Sequence, residues 1–275
     1  MNTLRTTPLK EPAAAPVIRP PAVAGMFYPD DPSMLRAQVE EYLAQARTDE
    51  PPTKALIAPH AGYIYSGPIA ASAYARLRNA KRPIERVVLI GPAHRVGFYG
   101  LAASSADYFQ TPLGTIPLDR EAIERVVDLP EVLYYDAAHA QEHSLEVHLP
   151  FLQVVLGTFK LVPLVVGSAS PEEVAAALEC LWGGDETLIV VSSDLSHYLD
   201  YASAQAIDAQ TSRAIEGLAP ERIRHENACG YVGVRGLLRL AKRKGLHART
   251  LDLRNSGDTA GPREQVVGYG AYAIG

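Results

Sequence analysis

The sequence is poor in cysteine and has no long apolar run. Its 275 residues include two cysteines and one tryptophan. Two cysteines cannot form a disulfide framework, which favours a reducing, cytoplasmic location. No apolar stretch approaches the ~20 residues that a membrane-spanning helix needs, and the first residues lack the apolar core of a secretory signal. We therefore expect a soluble cytoplasmic protein without a membrane partner.

A surplus of basic residues is also absent. The chain has 26 lysines and arginines against 31 aspartates and glutamates, which gives a formal net charge of −5 at pH 7. Proteins that bind nucleic-acid phosphates carry basic patches or stripes, so a nucleic-acid partner is not expected. The hydrophobic share of 47% and the charged share of 21% are ordinary for a globular protein.

Apolar runs alternate with helical patterns along most of the chain. Residues 87–90 and 187–192 have the length of buried strands, and residues 171–181 are typical of a helix. This alternation predicts an α/β fold, a single three-layer domain in which helices flank a mixed central sheet. Residues 1–18 are predicted to be a disordered tail, and residues 19–275 to form the domain.

Two of the apolar runs end in the same way. Residues 55–58 lead to His60 and residues 87–90 lead to His94, each through a turn that contains proline. Ligands of open α/β sheets bind at the carboxyl ends of the strands. Two imidazoles delivered to that edge can converge on one Fe, Zn or Cu ion. We therefore predict His60 and His94 as metal ligands.

A third apolar strand brings further polar groups to the same edge. Residues 187–192 are followed by Asp194 and His197. A histidine beside a metal is a candidate general acid or base, so His197 and Asp194 are predicted to be catalytic. The alternative for Asp194 is a capping role in the next turn.

The segment around residues 141–150 is rich in histidine and glutamate. It lacks the H-E-x-x-H spacing of zinc proteases, so that class is not favoured. We predict His143 as a catalytic residue. Glu142, Glu146 and His148, together with Tyr63, are predicted to line the substrate pocket, and carboxylates there could also orient metal ligands. The alternative for His148 is a buried, hydrogen-bonded histidine.

The turn between the last two predicted strands carries Asp258. Two histidines and one carboxylate form the facial triad that holds Fe(II) with open positions. Asp258 is the carboxylate best placed at a strand end, and Glu264 is a weaker candidate. We therefore predict Asp258 as the third ligand, with ordinary turn chemistry as the alternative.

Six segments of the chain occur in the same order in the Memo family, also described as protein B of the AmmeMemoRadiSam system. These segments are residues 20–29, 59–63, 91–94, 142–150, 193–197 and 256–258. The chain resembles this family from about Arg19 to its end. The family is similar in fold to the class III extradiol (LigB-type) dioxygenases, whose iron is held by two histidines and one carboxylate.

The resemblance implies roles for single residues. His60 and His94 match the metal-binding pair, and His197 matches the acid/base histidine of those dioxygenases. Some Memo relatives have a cysteine close to the position of Asp258, where this chain has none. A carboxylate there favours Fe(II), with Cu or Zn as alternatives. Cys229 lies in a motif like the family's; we expect a buried small residue at a helix start, with a reactive thiol as the alternative.

The resemblance implies a metal-dependent oxidoreductase, with Fe(II) and a small, aromatic substrate. Two other functions stay open: a non-catalytic module that binds a peptide or ligand in the same cleft, and a zinc-dependent hydrolase. The name of the AmmeMemoRadiSam system also implies a functional link to a radical SAM enzyme and to an AMMECR-type protein.

Overall fold

The structure, a computed structural model, describes residues 15–47, 53–80 and 82–275. Its strands are β1 (Ile18–Arg19), β2 (Ala55–Ala58), β3 (Arg86–Pro92), β4 (Leu101–Ala103), β5 (Tyr108–Thr111), β6 (Gly114–Pro117), β7 (Val132–Tyr134), β8 (Lys160–Val166), β9 (Thr187–Ser192), β10 (His197–Leu199), β11 (Ala248–Asn255) and β12 (Val266–Ile274). Its α-helices are α1 (Pro32–Gln45), α2 (Tyr63–Tyr74), α3 (Arg120–Val127), α4 (Asp136–Ala140), α5 (Leu149–Leu156), α6 (Pro171–Cys180), α7 (Tyr201–Glu216) and α8 (Tyr231–Arg243). None of these described helices is long and apolar enough to cross a membrane.

A large mixed sheet lies at the centre. Within the described residues it has nine strands, in the order β10-β12-β2-β9-β3-β8-β4-β7, with β11 paired to β12. The central strands β2, β9, β3 and β8 are parallel, while β12 and β4 run antiparallel to their neighbours in this set. Strands β1, β5 and β6 form a separate small sheet. The predicted α/β fold with a mixed central sheet and flanking helices is confirmed.

Both faces of the sheet are covered by other parts of the chain. Successive residues of a strand point to opposite faces, so neighbouring residues contact different layers. On β3, Ile90 faces Gly233 of α8, whereas the next residue, Gly91, faces the segment that holds Ser144 and Leu145. A Cβ at Gly91 would lie 2.9 Å from Leu145 Cδ2 and 3.0 Å from Ser144 Oγ. A larger residue at position 91 would therefore push the Leu145 and Ser144 side chains away from the end of β3.

The amino-terminal segment joins the small sheet earlier than predicted. Residues 1–14 of the predicted tail lie outside the described residues. The backbone N–H of Val17 donates to the Asp107 carboxylate at 2.7 Å, and Ile18 pairs with Tyr108. The ordered domain therefore begins before Arg19, because these residues already contribute to a strand.

A buried ion pair fixes the segment that follows β1. Glu146, 1% exposed, accepts hydrogen bonds from the Arg19 guanidinium, from the Tyr28 hydroxyl at 2.6 Å, and from the backbone N–H groups of Ala22 and Val23 at 2.7 and 2.9 Å. Both carboxylate oxygens are thus used inside the protein. This corrects the prediction that Glu146 contacts substrate, since its role here is to anchor the chain.

The ion pair gives a stability prediction. Glu146→Gln should lower the free energy of unfolding by about 3 kcal/mol, because it leaves the buried Arg19 charge without its partner. The matched control is Glu121→Gln, which breaks an exposed pair with Arg125 and should cost at most about 0.5 kcal/mol. Urea denaturation of the three proteins measures both values. Equal, small changes in the two variants would contradict the anchoring role.

Candidate metal centre

The carboxyl ends of β2 and β3 bring two histidines together. His60 follows β2 and His94 follows β3, and their ring centroids lie 5.1 Å apart. His60 is 2% exposed, while 29% of the His94 side chain is exposed. The two histidines predicted as metal ligands therefore lie side by side, one in the protein interior and one open to solvent.

Cys229 supplies a third donor at this point. Its Sγ lies 3.4 Å from His60 Nε2. One ligand atom from each of His60, His94 and Cys229 lies within 4.8 Å of the others. Ligands at about 2.1 and 2.3 Å from a tetrahedral zinc ion would be roughly 3.6 Å apart. Two imidazoles and a thiol at these separations fit a transition metal.

The backbone before α8 holds Cys229 in place. Its N–H donates to the Asp194 carbonyl at 3.3 Å, and the N–H of Asp194 donates to the thiol sulfur at 3.3 Å. The following residue, Gly230, lies so close to β9 that a Cβ would be 2.4 Å from the Ser192 carbonyl oxygen. Glycine at this position lets the cysteine reach the strand ends.

A carboxylate orients His94. Glu142 Oε1 accepts a hydrogen bond from His94 Nδ1 at 2.9 Å, and Oε2 accepts from the His94 backbone N–H at 2.6 Å. Burial opposes ionisation of Glu142, but hydrogen bonds from His94 and Ser144 outweigh it and lower the pKa of Glu142 to about 2. Because an ionised carboxylate only accepts, Nδ1 carries the proton and Nε2 is free for a metal.

His94, Glu142 and His143 form a second group of close donor atoms among the described residues. Glu142 Oε1, however, already accepts from His94 Nδ1 and from the backbone N–H groups of His143 and Ser144, each at 2.9 Å. This oxygen of Glu142 therefore orients the neighbouring residues. The His143 ring stacks on that of His94, with centroids 4.6 Å apart and planes at 24°.

Asp258 lies outside this donor set. It is exposed and belongs to a 3-10 helix, Ser256–Asp258. One carboxylate oxygen accepts from the Asn255 backbone N–H at 3.0 Å, and the other accepts from the Tyr201 hydroxyl at 2.5 Å. The turn-chemistry alternative describes Asp258, since one of its oxygens caps the 3-10 helix and the other bonds to Tyr201. Cys229, rather than Asp258, lies beside the two histidines.

A cavity of about 570 Å³ opens beside the two histidines, a size typical of small-molecule sites. The predicted catalytic residues His143, Asp194 and His197 all lie on its wall. Much of the remaining wall is aromatic or charged and includes Phe27, Tyr65, Arg95, Tyr198 and Tyr269.

Two of the wall residues have pKa values that their surroundings shift. His197 Nδ1 bonds to the Leu195 carbonyl at 2.8 Å and so must carry a proton, which leaves Nε2 as an acceptor. Desolvation of the ring lowers the pKa of His197. Asp194 accepts the His60 backbone N–H at 2.7 Å, and burial raises the pKa of Asp194 to about 7. A carboxyl group with a pKa of about 7 suits acid–base chemistry near neutral pH.

Tyr63 and His148 do not reach the cavity. Tyr63 is 2% exposed, and its hydroxyl donates to the Val147 carbonyl at 2.7 Å. His148 is 1% exposed and lies between Tyr74 and Ser192. The predicted substrate contacts are corrected for both residues, because their polar atoms are satisfied in the core. For His148 the alternative of a buried, hydrogen-bonded histidine is the arrangement found.

Cys229 and Arg95 were not among the predicted site residues. Arg95 directly follows His94, so its place on the cavity wall could have been expected from the sequence. The available signal for Cys229 was the Ala-Cys-Gly turn ahead of a helix, which did not reveal the direction of the thiol.

Comparisons with known proteins identify the family. The family described as Memo-like protein matches residues 19–273. The chain belongs to the Memo-like family. MEMO1 family proteins from Sulfolobus acidocaldarius, Archaeoglobus fulgidus and Thermotoga neapolitana are each 36% identical to it. The alignments cover 94%, 92% and 92% of this chain and 100%, 97% and 98% of the relatives. The resemblance to the Memo family is confirmed.

A solved structure shares the fold of this Memo-family chain. It is a crystal structure of an uncharacterised protein from Escherichia coli K12, with a TM-score of 0.53. The match covers 82% of this chain and 100% of the other, at 12% sequence identity. At that identity the likeness concerns the fold alone.

The donor set gives a prediction about metal binding. Cys229→Ser should weaken Fe(II) or Zn(II) binding by about 100-fold or more, since loss of a ligand costs more than loss of an orienting group. Asp258→Asn is the matched control and should bind metal like the wild type, because it alters only a helix cap and a bond to Tyr201. Competition titration with a chelator measures the affinities. Weak binding by Asp258→Asn together with unchanged binding by Cys229→Ser would contradict the assignment.

Proposed function

We propose that this Memo-family protein is a metal-dependent oxidoreductase that acts on a small aromatic substrate. The supporting observation is that donor atoms of His60, His94 and Cys229 converge, and that the two histidines line a cavity whose wall also holds acid–base groups. When bound, a redox-active ion would supply electron transfer and Lewis acidity. Fe(II) is the proposed ion. A thiolate makes the donor set softer than the predicted carboxylate would, so copper is the second choice.

The cavity wall supports an aromatic substrate that carries a negative charge. Rings of Phe27, Tyr65, Tyr198 and Tyr269 offer flat apolar surfaces. Arg95 adds a guanidinium group, which suits a carboxylate. A phenol or catechol with a carboxylate group combines both features, and its hydroxyl can point at His60 and His94.

Protein groups can move the substrate proton. In the proposal His197 Nε2 accepts a proton from the substrate hydroxyl, because Nδ1 is held by the Leu195 carbonyl. Asp194 lies behind His60 and can hold or release a proton near neutral pH. His143, stacked on His94, covers one side of the ring and limits access of water to it.

A second candidate function is a zinc-dependent hydrolase. Two imidazoles and a thiolate are common zinc ligands, and Asp194, with its pKa raised to about 7, could serve as a general base for a water molecule. The two functions differ in the metal needed and in the consumption of oxygen.

Oxygen uptake tests the proposed function. Protein loaded anaerobically with Fe(II) is given matched pairs of phenols and catechols with and without a carboxylate. We expect uptake with the anionic members, a fall of about 10²–10⁴-fold in kcat for His197→Gln, and loss of the anionic preference in Arg95→Gln. The fall in kcat reflects the lost proton acceptor, and the lost preference reflects the lost positive charge.

The matched control is Arg263→Gln. Arg263 is exposed and lies over the Tyr201 ring, so its loss should leave the substrate preference unchanged. No uptake with Fe(II) or copper across the panel would contradict the oxidoreductase. Ester hydrolysis that requires zinc and consumes no oxygen would replace it with the hydrolase. Tight ligand binding without either reaction would favour a binding module.

A further inference from the structure

A chain of buried hydrogen bonds leads from helix α2 to the metal centre. The Tyr74 hydroxyl lies 2.7 Å from His148 Nδ1, and His148 Nε2 lies 2.8 Å from Ser192 Oγ. The same Ser192 oxygen lies 2.6 Å from His60 Nδ1. All four side chains are at most 2% exposed. A buried polar chain of this length has to be fully paired to be tolerated, so its protons can be assigned.

Ser192 sets the direction of the bonds. Its hydroxyl has a single hydrogen, and the Ser144 carbonyl oxygen lies 2.6 Å away. A carbonyl can only accept, so the hydrogen of Ser192 is directed to Ser144. The two imidazole nitrogens on the other side of Ser192 Oγ must then both donate to it. His60 therefore carries a proton on Nδ1, and His148 carries one on Nε2.

The remaining contacts agree with this assignment. Burial lowers the pKa of His148 to about 3, so this ring is neutral and its Nδ1 accepts the Tyr74 hydroxyl hydrogen. The other nitrogen of His60, Nε2, lies 3.4 Å from Cys229 Sγ, and in the metal-free protein it can accept the thiol hydrogen. A nitrogen that accepts a hydrogen bond has a lone pair, so His60 carries its proton on Nδ1 alone.

We propose that Ser192, fixed by the Ser144 carbonyl and by His148, is the positioning residue that holds His60 in the Nδ1–H tautomer and keeps its Nε2 lone pair available to a metal. Which ring nitrogen of a histidine binds metal is set by the hydrogen bond of the other nitrogen. Without the acceptor at Ser192, His60 could carry its proton on Nε2, with Asp194 Oδ2 only 4.0 Å away. That tautomer has no lone pair for the metal.

The segment of residues 142–148 thereby positions both His60 and His94. Glu142 bonds to His94 Nδ1, while the Ser144 carbonyl and His148 together fix Ser192 and, through it, His60. The consequence for metal binding rests on the proposed metal centre. The tautomer of His60 does not, because it is set by bonds present in the metal-free protein.

The first test is NMR on metal-free wild-type protein labelled with ¹⁵N in its histidines. Long-range ¹H–¹⁵N correlation spectra at pH 7.5 distinguish protonated from unprotonated ring nitrogens, with a His60→Gln sample for assignment. We expect His60 to be protonated on Nδ1 alone and His148 on Nε2 alone. A proton on His60 Nε2 would overturn the proposal, whether or not the protein binds metal.

The second test uses variants of the chain. Ser192→Ala should give mixed tautomers at His60 and weaken Zn(II) binding by about 10–100-fold. Tyr74→Phe should change the His148 signals and leave those of His60 in place, since Ser192 still accepts from His60. Thr187→Val is the matched control, because it removes a buried hydroxyl at the other end of β9.

The comparison separates this inference from the proposed function. If Ser192→Ala matches Thr187→Val in both the His60 spectrum and the Zn(II) affinity, the positioning role is wrong. If the wild type binds no metal, the proposed metal centre fails while the wild-type spectrum still decides the tautomer.

Discussion

A hydrogen bond to one nitrogen of a histidine fixes the tautomer and leaves the other nitrogen free to act as a ligand, and two such bonds shape the edge of the sheet. Glu142 holds Nδ1 of His94, and Ser192 holds Nδ1 of His60. Both contacts depend on how closely residues 142–148 approach the ends of β3 and β9. Gly91 permits that approach, because any side chain there would collide with Ser144 and Leu145.

The sequence was sufficient to predict the fold and the pairing of the two histidines. Two apolar runs each lead to a histidine through a turn that contains proline. Parallel strands place their carboxyl ends at one edge of the sheet, so His60 and His94 were expected near each other. The third donor could not be predicted in this way. Cys229 reaches the site from the loop before α8, and its position depends on the contact of Gly230 with β9. Asp258 has the right place in the chain, but one of its oxygens caps a 3-10 helix and the other bonds to Tyr201.

The residues of the segment around 142–148 divide between two tasks that a sequence pattern cannot separate. Glu142 and His143 contact His94, whereas Glu146 and His148 face the core. The 3-10 helix Glu146–His148 turns the latter pair inward. A polar motif next to a site therefore includes residues that anchor the chain, such as Glu146 with Arg19, as well as residues that orient ligands. Burial and hydrogen-bond partners distinguish the two groups.

We propose that the imidazoles of His60 and His94 and the thiolate of Cys229 hold a metal ion in this Memo-family protein. X-ray absorption spectroscopy of the metal-loaded wild type tests it most directly, because sulfur and nitrogen neighbours scatter differently. We expect one sulfur neighbour at about 2.3 Å together with two imidazole nitrogens at about 2.0–2.1 Å. A coordination shell made of nitrogen and oxygen alone would contradict the claim.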